Sequence, residues 1–187
     1  GSGTTRNVEC SFTVYYHADP ASWTVYFNAT DDGGLTGTNT DAVTVNTLVA
    51  LNVTNTTIPF GTVALGGTSN QINMTIKNTG NVDIDLNINE SLYDGVMYCT
   101  DSGSDNITTD DTSTGVKYNM TNGFSFDATT SNLTSTNLLL ELNLLEADQS
   151  GAPTAPTDDL YWLIKLPATG LTGSCSTTVR ISAAESS

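Results

Sequence analysis

Basic residues are scarce in this sequence. Five Lys and Arg stand against twenty Asp and Glu, a net charge of −15 in 187 residues. Nucleic acid and anionic membrane surfaces are bound by clustered Lys and Arg, so neither is expected as a partner. The charged fraction is also low, at 13%, and the polar surface is built mainly from Thr, Ser and Asn. An intracellular enzyme or a disordered acidic tail carries far more charge. Long apolar runs are missing too: none approaches the roughly 18 residues that span a bilayer, so no membrane span is expected. The opening "GSGTTRNVEC" has neither a signal-peptide core nor a long hydrophobic polymerisation helix. For a secreted chain the expectation is a signal already removed.

Histidine is nearly absent. His17 is the single one, so any Ser–His–Asp or Cys–His device would have to use it. It lies at a strand end before Asp19-Pro20, the place of a turn residue. The triplet at residues 101–103, "DSG", echoes an aspartic-protease motif, but two such carboxylates must share a proton and no second triplet exists. Catalytic residues are therefore expected to be none. The three lysines of the chain, Lys77, Lys117 and Lys165, show no spacing that singles out one of them for an isopeptide bond with Asn. Three cysteines, Cys10, Cys99 and Cys175, are too few and too scattered for a metal cluster or a disulfide framework. One disulfide and a spare thiol is the simplest reading, and Cys99–Cys175 is favoured because both belong to the larger module. The spare thiol is then either buried or paired with another chain.

What the chain does have is a period of two, the mark of half-buried strands. In "CSFTVYY" Cys10, Phe12, Val14 and Tyr16 share a face. In "SWTVYFNATDDGG" Trp23, Val25, Phe27 and Ala29 share one face, and Thr24, Tyr26, Asn28 and Thr30 the other. "DAVTVNTLVALNVT" places Val43, Val45, Val49, Leu51 and Val53 on one parity, which predicts a continuous strand passing from one module into the next. "IPFGTVALGGTS" reads as a short edge element, because Pro59 removes a ladder donor and Gly66-Gly67 mark a turn. "NQINMTIKNTGNVDIDLNI" reads as a hairpin: Ile72, Met74 and Ile76 alternate, Asn78-Thr79-Gly80-Asn81 turns, and Val82, Ile84, Leu86 and Ile88 alternate back. Short strands are predicted over residues 116–120 and 124–126. Leu138, Leu140, Leu142 and Leu144 are spaced by two, so "NLLLELNLL" is read as a strand rather than a helix. "QSGAPTAPTDD" is a loop, and "LYWLIKL" and "CSTTVRISA" are closing strands.

Asn-X-Ser/Thr glycan acceptor triplets occur at Asn28, Asn52, Asn55, Asn73, Asn89, Asn106, Asn119 and Asn132. With 18 Asn and 50 Ser plus Thr, composition alone gives about five such triplets, so number is a weaker signal than placement. Asn28, Asn52, Asn73, Asn89 and Asn119 fall on the polar parity of their strands, where a bulky glycan meets water. "DSGSDNITTDD" offers Asp101, Asp105, Asp110 and Asp111, but Gly103 stands where a ligand is needed and Asn106 replaces the turn glycine of a calcium loop. No cofactor is expected and no metal residues are assigned. Loop-bound calcium there, at Asp31-Asp32 or at Asp158-Asp159, is the alternative to a solvated acidic loop.

Two stretches resemble a known family. "FGTVALGGTSNQINMTIKNTGNVDIDLNI" and "DLYWLIKLPATGLTGSCSTTVRISA" are similar to modules recurring in archaeal secreted surface proteins. There a "FGT…G" edge leads into a "T(I/V)xNTGNVDI" hairpin, followed by a late "(Y/W)W-x-I-x-(V/L)-P" strand, a Gly-rich turn and a final strand. The stretch "SWTVYFNATDDGG" resembles the end of the immunoglobulin-like module that often comes first. The "NTG…DI" element is also similar to the camelysin/TasA group, which includes secreted β-sandwich subunits that polymerise by lending a strand. The resemblance implies an extracellular structural protein and transfers no catalytic residue. The chain departs from it at "GSC" before the last strand and in the short N-terminal segment.

The expectation is an all-β chain: residues 1–50 form a partial immunoglobulin-like module of about three strands, and residues 51–187 an immunoglobulin-like or jelly-roll β-sandwich. Three strands with one apolar face cannot bury Phe12, Val14, Trp23, Val25 and Phe27 by themselves. Left wet, several large side chains forfeit roughly 10 kcal/mol. Either the second module covers that face, or a neighbouring copy of the chain lends a strand or sheet. Repeated head to tail, such contacts build a filament or coat at the cell surface. The alternative is a ligand-binding or adhesive β-sandwich module of a larger cell-surface glycoprotein, its loops at residues 101–114 and 149–159 meeting surface glycans or other cells.

Overall fold

The computed structural model describes residues 9–100, 105–128, 131–148 and 153–187. Among these the chain is all-β, with a single 3-10 turn at Phe126–Ala128 and no α-helix. β1 (Ser22–Thr30) and β2 (Thr36–Thr44) pair antiparallel over their full length as a two-stranded sheet of their own. The turn between them is held by Asp31, whose Oδ1 accepts from the N–H groups of Gly33 and Leu35.

The remaining strands make a sandwich. One sheet has the order β3 (Leu51–Val53), β4 (Ile72–Asn78), β10 (Thr157–Lys165), β8 (Gly115–Asn119). Facing it is a sheet of β12 (Val179–Glu185), β5 (Ile84–Glu90) and β9 (Leu138–Leu144), and a separate three-stranded sheet is made by β11 (Cys175–Ser176), β6 (Val96–Cys99) and β7 (Asn106–Thr108). Alternate residues of each strand meet in one core: Met74 and Ile76, Ile84, Leu86 and Ile88, Val116 and Tyr118, and Leu160, Trp162 and Ile164 are all buried. The rings of Tyr118 and Trp162 lie 5.2 Å apart, and burial pushes the Tyr118 phenol up to about 12.

The leucine run over residues 138–144 is the strand its parity predicts. Other expectations need correction. The Asn78–Asn81 turn does not close a hairpin, because β4 and β5 do not pair and lie in opposite sheets. It is a corner that carries the chain across the sandwich. Asn78 is fully buried there, and its Nδ2 donates to the carbonyls of Val82, Leu144 and Leu145 while its Oδ1 accepts from Gly80 N–H. Those bonds replace the ladder that a hairpin would make.

Nor is there one strand over residues 41–54. β2 ends at Thr44, and residues 45–50 cross over Gly80 before β3 begins. Backbone bonds from Asn81 N to Leu48 O and from Thr79 N to Ala50 O fix that crossing. The "IPFGTVALGGTS" stretch carries no strand beyond an isolated bridge at Thr68, since Pro59 withholds an N–H and the Gly66-Gly67 turn follows at once. Residues 124–126 lead into the 3-10 turn instead of a strand. Finally, residues 9–16 form no strand, so the described part of the N-terminal module has two strands and not three.

Candidate assembly site

The two sheets do not close along one side. A cleft of about 850 Å3 opens there between residues 53–63 on one lip and residues 173–181 on the other. Its floor is the core itself: Met74, Met97, Ile107, Val116, Leu133 and Ile164. Ile58, Phe60 and Val63 rim one side and Val179 and Ile181 the other, all half-buried against the core. Among the described residues that line it there is no Asp, Glu, Lys or Arg, a contrast with the −15 charge of the whole chain.

The backbone bordering the cleft has sheet edges. β3 is the outer strand of its sheet, and β11 and β12 are outer strands of theirs. Among the described residues, the backbone bonding within residues 57–63 is confined to Phe60 N–H donating to Ile58 O at 3.1 Å. The second lip is braced from behind by Glu90, which is only 1% exposed. Its carboxylate accepts from the N–H groups of Leu92, Tyr93 and Gly95 and, at 2.5 Å, from the Thr177 hydroxyl. Burial pushes the Glu90 carboxyl up, but these four hydrogen bonds outweigh it and hold the group below the usual carboxylate range.

The residues expected at a subunit interface are exposed. Phe12 is 56% exposed, Val14 49%, Trp23 47% and Phe27 37%, while Val25 is half-buried. Among the described residues the sandwich leaves most of this surface uncovered, and it holds the N-terminal part at its base. Asn81 makes that attachment: its Oδ1 accepts from Leu48 N–H, and its Nδ2 donates to the carbonyls of Ala18 and Asn46. Beside it Asp19, Asp83, Glu146 and Glu185 surround a small pocket. Burial and the neighbouring carboxylates of Asp19 and Asp83 raise the Glu146 carboxyl above its usual range. Sequence reasoning took Asn81 for a turn residue and missed Glu90 altogether, because a hydrophilic residue after an alternating strand carries no sign of its partners.

The Asn-X-Ser/Thr triplets differ in exposure. Asn28, Asn52, Asn55, Asn73 and Asn106 are exposed, and Asn89, Asn119 and Asn132 are half-buried. Asn89 Nδ2 donates to the carbonyls of Glu90 and Ser135, and Asn132 Nδ2 to that of Asp110. Cys99 and Cys175 are disulfide-bonded across β6 and β11, and Cys10 is an exposed free cysteine. His17 packs against the rings of Tyr15 and Tyr16 at the turn before Asp19. Asp101 and the "DSG" triplet lie outside the described residues, as do residues 149–152 of the second loop. Among the described residues no three His, Cys, Asp or Glu side chains are grouped to hold a metal ion.

No protein-family model matches the chain, and no curated protein matches it in sequence. Among solved structures it is similar to the CsuC–CsuE chaperone–tip adhesion subunit pre-assembly complex from archaic chaperone–usher Csu pili of Acinetobacter baumannii. The identity is 14% and the TM-score 0.41, over 80% of this chain and 43% of that one. This chain thus spans less than half the length of the structure it is similar to, and no role passes from one to the other.

Proposed function

We propose that the chain is a secreted, N-glycosylated structural subunit. Copies of it build an extracellular filament or coat through β-strand or β-sheet complementation. Its role in this reading is passive, with no chemistry to perform. The observation that carries the reading is the pairing of two unmet needs in one molecule. The sandwich is open along a side bordered by edge strands and floored by its own core, and the N-terminal part exposes Phe12, Val14, Trp23 and Phe27. Edge strands beside apolar surface recruit further strands. A contact between two different surfaces of one subunit repeats as an open chain of subunits.

The test is the oligomeric state of purified protein by light scattering as concentration rises, with negative-stain images of native material. Concentration-dependent oligomers and fibrous or sheet-like assemblies are expected. A chain that stays monomeric at every concentration, with native material free of assemblies, overturns the reading.

A further inference from the structure

The proposed assembly leaves open which segment meets which surface. We infer that the open cleft between residues 53–63 and 173–181 is an acceptor site, and that its occupant is the segment of residues 10–16 from a second copy of the chain. This rests on the reading of the chain as a self-assembling subunit.

The segment has the chemistry of the cleft. Cys10, Phe12, Val14 and Tyr16 alternate with Ser11, Thr13 and Tyr15, so an extended backbone presents one apolar row. It contains no charged residue, and neither do the described residues lining the cleft. In a chain of twenty acidic groups, that match spares both surfaces the burial of an unpaired carboxylate.

The segment is also available. Every residue from 9 to 16 is exposed and outside any strand. Its backbone bonding among the described residues is confined to Tyr15 O, which accepts from Ala18 N–H in the following turn. A strand-forming pattern without a strand partner sits on the same molecule as a strand-sized gap. Residues 10–16 span about 20 Å when extended, and the lip they would lie against carries the edge strands β11 and the start of β12.

The segment's own cleft is out of reach. Ala18 is tied to Asn81, and Asp19 and Pro20 share a small pocket with Glu185 and Ser186 at the far end of β12. The cleft involves the opposite end of that strand, at Val179 and Ile181. Five residues of extended chain, about 17 Å, separate Ser186 from Ile181. A segment folding back would spend residues 17–13 on the approach and leave Val14 and Tyr16 outside. The tether therefore directs the segment outward, to a neighbour.

The test uses the full chain, a Phe12→Asp/Val14→Asp variant, and a fluorescent peptide of residues 9–17. Both substituted side chains are exposed, so the variant keeps the sandwich and its cleft; an unchanged thermal transition checks this. The variant is expected to associate at least tenfold more weakly than the parent and to bind the peptide saturably, one per chain. A peptide with the same two Asp residues is expected not to bind. If the parent assembles and the variant assembles equally well, the inference is overturned while the subunit reading stands. If the peptide fails to bind the folded variant, the inference is likewise overturned. If the peptide binds but the parent never assembles, the acceptor site stands and the filament reading falls.

Discussion

Replacing Glu90 separates the bracing of the cleft from its lining. The carboxylate is buried and has no basic partner among the described residues; its charge is met by the N–H groups of Leu92, Tyr93 and Gly95 and by Thr177 Oγ1. In Glu90→Ala the Leu92 and Tyr93 amides, on exposed residues, regain water. The Gly95 amide is buried and the Thr177 hydroxyl half-buried, so both lose their acceptor with little solvent to replace it. At about 1–3 kcal/mol for each group left unsatisfied, the loss comes to about 4 kcal/mol. That is a large part of the stability of a typical domain. Glu90→Gln keeps one acceptor but sets an amide against Gly95 N–H, and is expected to lose about 2 kcal/mol. The folded-state pKa is depressed, so this contribution is present above the ordinary carboxylate range and fades as pH falls through the folded value. The parent therefore loses stability on acidification in a way that Glu90→Gln does not. Urea unfolding between pH 7 and pH 3 measures both effects. A loss below about 1 kcal/mol for Glu90→Ala at pH 7, with an unchanged denaturant slope, would refute the argument that this carboxylate holds the lip.

Further outcomes follow from the corner and the staples. A Cβ on Gly80 would sit 2.1 Å from Leu48 O and 2.9 Å from Ala50 N, both backbone atoms. Gly80→Ala is expected to cost about 3 kcal/mol and to speed proteolysis between Thr44 and Leu51, read by mass spectrometry of the fragments. The Cys99–Cys175 bridge closes a loop of sequence separation 76, so the Cys99→Ser/Cys175→Ser variant loses about 4 kcal/mol by denaturant unfolding if chain entropy governs the effect. The raised Glu146 carboxyl stabilises the fold below the ordinary carboxylate range, a contribution lost as pH rises through its folded value. Glu146→Gln is accordingly expected to exceed the parent in urea midpoint at pH 7, with that difference gone at pH 3.

Parity made most of the sandwich readable before any coordinates. Ile72, Met74 and Ile76, then Ile84, Leu86 and Ile88, are the inward residues of their strands. What parity does not reveal is where a strand finds its partner. The Asn78-Thr79-Gly80-Asn81 stretch has the composition of a hairpin turn, yet corner and hairpin differ only in where the flanking ladders go. That is settled by β10 and β3 beside β4, and by β12 and β9 beside β5. The first half of β2 was missed for the opposite reason. Thr36, Gly37, Thr38, Asn39 and Thr40 have no apolar alternation, and they are ordered as a strand by their register against β1.

The N-terminal segment shows the same limit from the other side. Cys10, Phe12, Val14 and Tyr16 alternate as a strand does, and nothing in the described chain pairs with them. Alternation reports that a face is fit for burial; it does not say that the burial occurs within the same molecule. Joined to the corner at Asn81, this gives the chain a direction. The segment leaves from the end of β12 where Ser186 lies, and the cleft opens toward the end where Val179 lies. A donor and an acceptor at opposite ends of one strand allow two assemblies, an antiparallel two-fold pair that fills both clefts and a line of subunits that fills each cleft from the next. The proposed filament is the line, each chain anchored by its own Asn81 and filled by its neighbour; a purified species that stops at two chains would select the closed pair instead.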